Sequence, residues 1–146
     1  NMYDIMQLGA KGVQVASRFV TTEECDADVK FKNTYVKAVE NDVEIIQSPV
    51  GMPGRALEGK FLENVKLGLT RPKSCPYNCL HTCDYKVVPY CIILALYNAY
   101  KGKMDKGYAF AGSNAYLSAR ISTVKEVIHS MISEFNKREI DVKARL

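Results

Sequence analysis

A shortage of strands constrains this chain more than any other feature. Only residues 12–16, Gly-Val-Gln-Val-Ala, alternate cleanly, with Val13 and Val15 pointing one way and Gln14 and Ala16 the other. The run stops at Ser17-Arg18, and Thr21-Thr22-Glu23-Glu24 then reads as a helix opening. Four or five helical patterns surround this single good strand. One strand cannot bury both its faces without neighbours. The order strand then helix therefore predicts the closing unit of a larger α/β fold whose earlier strands lie elsewhere. A strand that ends in small residues just before a helix is also a usual place to hold a phosphate.

The remaining elements are read from periodicity and punctuation. Residues 3–8 form a short amphipathic piece that Gly9 closes. Thr22 caps a helix over about 23–39, with Phe31, Tyr35 and Val39 on one face. Val43 to Gln47 is β-like and ends at Ser48-Pro49. Residues 48–56, Ser-Pro-Val-Gly-Met-Pro-Gly-Arg-Ala, read as a loop because they hold two Pro and two Gly. Ala56 to Val65 reads as helical. Pro89 stands where a first helical residue can sit, and Cys91 to Tyr100, apolar nearly all round, predicts a buried helix stopped at Gly102. Tyr108 to Ala111 is a short apolar run leading into Gly112-Ser113-Asn114. Thr123 and Glu126 make a capping box, and Val124, Val127, Ile128, Met131, Ile132 and Phe135 form the apolar stripe behind it. The charged tail from Lys137 is expected to fray.

Composition excludes several functions. No run approaches the ~18 apolar residues of a membrane span, and no basic-then-apolar leader opens the chain. The net charge of +4 comes from scattered Lys and Arg interleaved with acids, which describes a solvated face and no nucleic-acid surface. Five Cys is an odd number, and four of them crowd between positions 75 and 91. With no leader the default compartment is reducing and cytoplasmic, which disfavours a disulfide framework.

The segments Leu8-Gly-Ala-Lys-Gly-Val-Gln-Val-Ala-Ser-Arg-Phe-Val-Thr-Thr-Glu-Glu-Cys, Ser48-Pro-Val-Gly-Met-Pro-Gly-Arg-Ala, the Cys-rich stretch, and Gly107-Tyr-Ala-Phe-Ala-Gly-Ser-Asn-Ala-Tyr-Leu with Ser122-Thr-Val-Lys-Glu-Val-Ile occur in a telling order. Together they resemble the C-terminal part of the nitronate monooxygenase family, which includes the enoyl-acyl-carrier-protein reductase II type. The resemblance covers about residues 2–136. It implies an α/β fold: the C-terminal portion of an FMN-binding (β/α)8 TIM barrel, from helix 7 and strand 8 onward, plus a mainly helical Cys-rich C-terminal segment. It divides the chain into a last β/α unit (1–47), a loop and Cys-rich insert (48–107), a return segment with the C-terminal helix (108–136) and a charged tail (137–146).

By that resemblance the end of strand 8 holds the FMN phosphate through backbone N–H groups and a hydroxyl, as barrels commonly do after strands 7 and 8. Gln14, Ala16 and Ser17 are the candidates there. Ala16 stands where the family usually has Gly, and Ser17 where it has Thr. Residues 111–116 match the family's late Ala-Gly-Gln-type segment near the flavin, which adds Gly112 and Ser113 as cofactor-binding candidates, with Asn114 beside them. Gly112 permits close backbone approach. The 48–56 loop either folds over the flavin face, with Met52 lining the substrate side and Arg55 reaching an anion, or merely routes the chain to the insert. His81 and His129 match no motif, and no catalytic residue is expected within these residues. The family's catalytic His and its Gly-Gly phosphate loop belong to its N-terminal half, so the chain is expected to need that half and to be inactive alone. NAD(P)H is the implied reductant. The implied substrates are small molecules or acyl thioesters, and a homodimer is possible.

Two features stand apart. Cys25, near a helix start, is either a favoured thiolate or a buried structural thiol. Cys75, Cys79, Cys83 and Cys91 have the spacing C-x3-C-x3-C-x7-C. A helical turn would stack the first three on one side, and Pro89 would bring Cys91 back. Four thiolates suit zinc or a [4Fe–4S] cluster, while four reduced thiols packing an insert is the alternative. The cysteines also support a competing function: a non-catalytic helical module built around a four-cysteine metal site.

Overall fold

The computed structural model describes residues 2–81 and 83–145. At its centre, β1 (Val43–Gln47) pairs antiparallel with β2 (Pro53–Leu57), Val43 lying opposite Leu57 and Gln47 opposite Pro53. The connection turns through a Gly51 N–H to Ser48 C=O bond of 3.1 Å, with Gly51 at φ 88°, a region glycine enters without strain. Residues 108–111 continue the sheet on the far side of β2. Leu57 N–H donates to Ala109 C=O and Ala111 N–H donates to Arg55 C=O, each at 3.0 Å, flanking an antiparallel bridge between Ala56 and Phe110.

Alternation along these strands divides the core in two. Ala56 and Tyr108 fall on one face with Ile46, Phe61, Leu62, Tyr90 and Ala95. Leu57, Ala109 and Ala111 fall on the other with Tyr35, Ala38 and Ala115. Both faces are covered, so the run from Tyr108 to Ala111 is apolar at every position. The predicted loop over 48–56 is therefore shorter than expected, because Pro53 to Leu57 form a strand. Pro53 takes the first strand position, where a missing N–H is tolerated. Gly54 is needed because a Cβ there would lie 2.5 Å from the Phe110 ring.

Six α-helices accompany the sheet among the described residues. α1 (Met2–Gln7) ends as expected at Gly9, at φ 100°, with its N–H on Met6 C=O. It packs on α6 (Val124–Lys143) through the Tyr3 and Phe135 rings, 5.3 Å apart, and an Arg138 to Asp4 bond of 2.9 Å. α6 has the predicted Thr123–Glu126 capping box. It also corrects the expected fraying: the helix runs on to Lys143, aided by a Lys143–Glu139 pair one turn apart.

Other expectations change more. Residues 12–16 join no ladder and are exposed throughout. The helix expected over 23–39 is shorter, α3 (Val29–Val36), and an unexpected four-residue helix, α2 (Ser17–Val20), precedes it. Thr22 does not cap, because its hydroxyl donates back to Phe19 C=O and its backbone bridges to Ser122. Asp28 caps instead, accepting from Lys30 N–H at 2.7 Å. α4 (Lys60–Lys66) starts after Gly59, later than predicted. α5 (Ile92–Tyr100) starts after Cys91, so Pro89 lies outside it, and Gly102 at φ 73° stands past its end as expected. Only its Ala95 and Ala99 face is buried, while Ile93, Leu94, Leu96 and Tyr97 are exposed. The Cys-rich stretch between α4 and α5 has no helix among its described residues, against the expectation of a mainly helical insert.

Candidate functional site

The chain leaves the exposed 12–16 stretch and enters α2 at Ser17, which is half-buried. Ser17 Oγ accepts a 2.9 Å hydrogen bond from Gly112 N–H. A Cβ on Gly112 would stand 3.4 Å from that oxygen, an ordinary van der Waals contact. One residue earlier, Ala111 N–H binds Arg55 C=O. Three segments far apart in sequence, around 12–17, 53–57 and 109–113, are thus joined by the Ser17 side chain and by backbone hydrogen bonds. Ser17 uses a lone pair on Gly112, so its O–H is left to donate outward.

Long-range bonds hold this junction in place. Arg18 Nη2 donates to Glu134 at 2.6 Å and to Ser130 Oγ at 2.9 Å, tying α2 to α6. The Arg18 hydrogen bond, with a smaller share from Ser130, holds the Glu134 carboxyl below the usual carboxylate range. Glu23 N–H donates to Ser122 C=O and Ser122 N–H to Thr21 C=O. The Glu24 carboxylate accepts from Val124 N–H at 3.0 and 2.9 Å, at the positive end of α6. Lys32, buried, donates its ammonium to Thr22 C=O at 2.7 Å. Behind Gly112, the Tyr35 hydroxyl donates to Phe110 C=O, and burial, then the nearby Cys25 thiol, pushes the Tyr35 phenol up.

The five cofactor-binding candidates gather at this junction. Gln14 and Ala16 lie on the exposed approach, Ser17 at the contact, and Gly112 and Ser113 on the opposing turn, both exposed. Arg55 is exposed on β2 opposite Ile45. Met52 lies in the hairpin loop with 73% of its surface exposed. Cys25 sits in the irregular stretch between α2 and α3, away from a helix start. Sequence reasoning missed Arg18, Glu24 and Lys32. Arg18 comes directly after the presumed phosphate position yet turns away to Glu134, and no local signal announces a partner 116 residues distant.

The Cys segment differs from its expected form. Cys75, Cys79 and Cys83 do not stack on a helix, because the stretch is irregular. All four thiols nevertheless line one pocket. Partial burial pushes the Cys83 thiol up, and Cys75, Cys79, Cys91 and Asp84 push it the same way. As the side chains stand, no three His, Cys, Asp or Glu among the described residues are placed to hold a metal ion together. No helix among the described residues is long and apolar enough to cross a membrane.

Known proteins resemble this chain in sequence and in fold. A probable nitronate monooxygenase from Staphylococcus saprophyticus is 32% identical over 60 residues, a match spanning 41% of this chain and 17% of that protein. Two structures of FabK from Thermotoga maritima, one of them the M276A mutant, superpose with TM-scores of 0.75 at 23% identity. They cover 99% (mutant) and 97% of this chain but only 41% and 42% of their own. The chain therefore spans about two fifths of those structures. The likeness carries the fold, an α/β fold related to the TIM barrel. The family model for nitronate monooxygenase matches residues 2–134, so the chain belongs to the nitronate monooxygenase family.

Proposed function

We propose that this chain supplies the closing β/α unit and the flavin-phosphate edge of an FMN-dependent oxidoreductase. The observation that carries this reading is the Ser17–Gly112 bond, because it joins the two segments that the family resemblance assigns independently to the flavin. The donor set fits a phosphate. The Ser17 O–H is available, Gly112 has no side chain to obstruct the approach, and Ala16 and Ser17 carry backbone N–H groups at the mouth of a helical turn. Residues 12–16 then pair as a barrel strand with the half of the barrel that these residues do not contain. Bound FMN supplies hydride and electron transfer from NAD(P)H to an enoyl thioester, or from an alkyl nitronate to oxygen.

The chain's own part is positioning. Ala16, Ser17 and the 112–113 turn hold the phosphate, Gln14 lies along the approach, and the Arg18–Glu134 and Glu24–Val124 bonds keep the junction rigid against α6. Arg55 and Met52 sit on the strand and loop beside the junction and face the substrate side in this reading. The competing reading, a non-catalytic helical module around the cysteines, has less support, since the Cys stretch is irregular and neither core cluster contains a thiol.

A visible spectrum of the full-length protein separates the two readings, because flavin is coloured and a zinc module is not. In the same protein, Ser17→Ala removes one charge-assisted hydrogen bond. It is expected to weaken flavin binding by about 1.5–3 kcal/mol, roughly ten- to hundredfold. Unchanged flavin affinity in a flavin-containing protein removes Ser17 from the site.

A further inference from the structure

We propose that Cys75, Cys79, Cys83 and Cys91 are the four ligands of a structural zinc ion. Four of the five cysteines fall within 17 residues, and all four line one pocket despite the irregular backbone between them. All four are free thiols. The rest of the wall is mostly apolar, with Val50, Leu80, Val88 and Tyr90 among its residues. The fifth, Cys25, lies elsewhere and serves as an internal control.

The donor set points to the metal: four thiolates match the tetrahedral coordination of zinc, with sulfurs at about 2.3 Å, and thiolates alone select zinc over the oxygen-loving divalent ions.

The thiols must still draw inward, because no three of them reach one ion as they stand. Cys79 has furthest to come: it is exposed, while Cys75, Cys83 and Cys91 are half-buried. The backbone allows this movement. Cys75, Cys79 and Cys83 lie outside every helix and strand, so no ladder has to break. Asn78, next to Cys79, already holds φ 43°, a left-handed value that Asn tolerates better than most residues. Cys91 is the N-cap of α5, which gives the site one rigid anchor. Closure balances as Zn²⁺ plus four thiols giving a tetrathiolate complex and four protons. Pro49 and Val50 of the β1–β2 loop line the same pocket, so the ion would also steady the hairpin that carries Met52.

The test uses full-length protein, reduced and treated with a chelator, then titrated with Co²⁺ and with Zn²⁺. The expected result is a thiolate-to-cobalt charge-transfer band with tetrahedral ligand-field bands, saturating at about one equivalent and bleached by Zn²⁺. Cys79→Ser and Cys91→Ser should each lower zinc affinity at least about tenfold, whereas Cys25→Ser should leave it unchanged. Cys79 is exposed, so its replacement should not unfold the protein, and the flavin spectrum checks that. Retained flavin with lost cobalt bands keeps this result separate from the flavin assignment. The proposal is overturned if the cobalt bands are absent, if they persist in Cys79→Ser/Cys83→Ser, or if anaerobic protein carries iron and sulfide on these cysteines instead.

Discussion

Residues 12–16 and 108–111 are both short apolar runs that lead into a small-residue turn, yet the structure treats them oppositely. The first alternates like a strand and joins no ladder, with every residue exposed. The second has no alternation, yet pairs with β2 and buries Tyr108 and Ala109 on opposite faces, each within 2% of full burial. The difference teaches that alternation describes only a strand's two faces. Whether a ladder forms depends on a neighbour with free backbone groups. Residues 108–111 find β2, and residues 12–16 find no such neighbour among the described residues. The two runs meet at the Ser17–Gly112 bond, where an unpaired approach is pinned to a paired one.

The largest effect should come from breaking the buried run. Tyr108→Ala removes a ring that stands 5.9 Å from Phe61, 5.7 Å from Tyr90 and 5.0 Å from Phe110. It also removes the acceptor for the Tyr90 hydroxyl. The expected loss is about 3–5 kcal/mol in denaturant unfolding. A loss below about 1 kcal/mol would mean that this run is not core and that the contrast is misdrawn.

Acid should separate the two ends of the junction. Hydrogen bonding from Thr123 N–H first, then from Arg120, holds the Glu126 carboxyl low, as Arg18 holds that of Glu134. A carboxyl with a lowered folded-state pKa contributes stability above the ordinary glutamate value near ~4.3, and that contribution is lost as pH falls through the lowered value. Below about pH 4, hydrogen exchange is therefore expected to rise at 17–24 and 122–134 before it rises at 108–111. Simultaneous opening of both regions would show that the α6 clamp and the sheet are one unit. Glu126→Gln should weaken the acid dependence at the start of α6.

The smallest effect is expected at Val15, which is 37% exposed. Val15→Ala in the 146-residue chain should change stability by no more than about 0.5 kcal/mol. In the longer protein, where the proposed barrel pairs this stretch, the same change should cost about 1–3 kcal/mol as a buried strand position. Equal small effects in both would argue against strand pairing at 12–16, and with it the barrel placement of this unit.

Where determinants are local, the sequence was a reliable guide. The Thr123–Glu126 capping box needs residues three apart, the Gly9 stop needs one glycine, and the helix behind Thr123 needs only the helical period, so each was legible and each is observed, although of its apolar stripe only Val127 is buried while Ile128 and Ile132 are exposed. Family motifs also placed Gln14, Ala16, Ser17, Gly112 and Ser113 without showing that the two groups touch. Only tertiary structure decided the rest. Arg18 turns from the junction because Glu134 offers a full charge that a lone arginine in sequence does not reveal. Thr22 loses its capping role because Ser122 claims its backbone. Residues 53–57 become a strand because 43–47 and 108–111 flank them on both sides. Residues 12–16, with the better strand pattern, stay unpaired for the converse reason: a ladder's hydrogen bonds lie between segments, and a segment's own side chains do not specify whether a partner stands beside it.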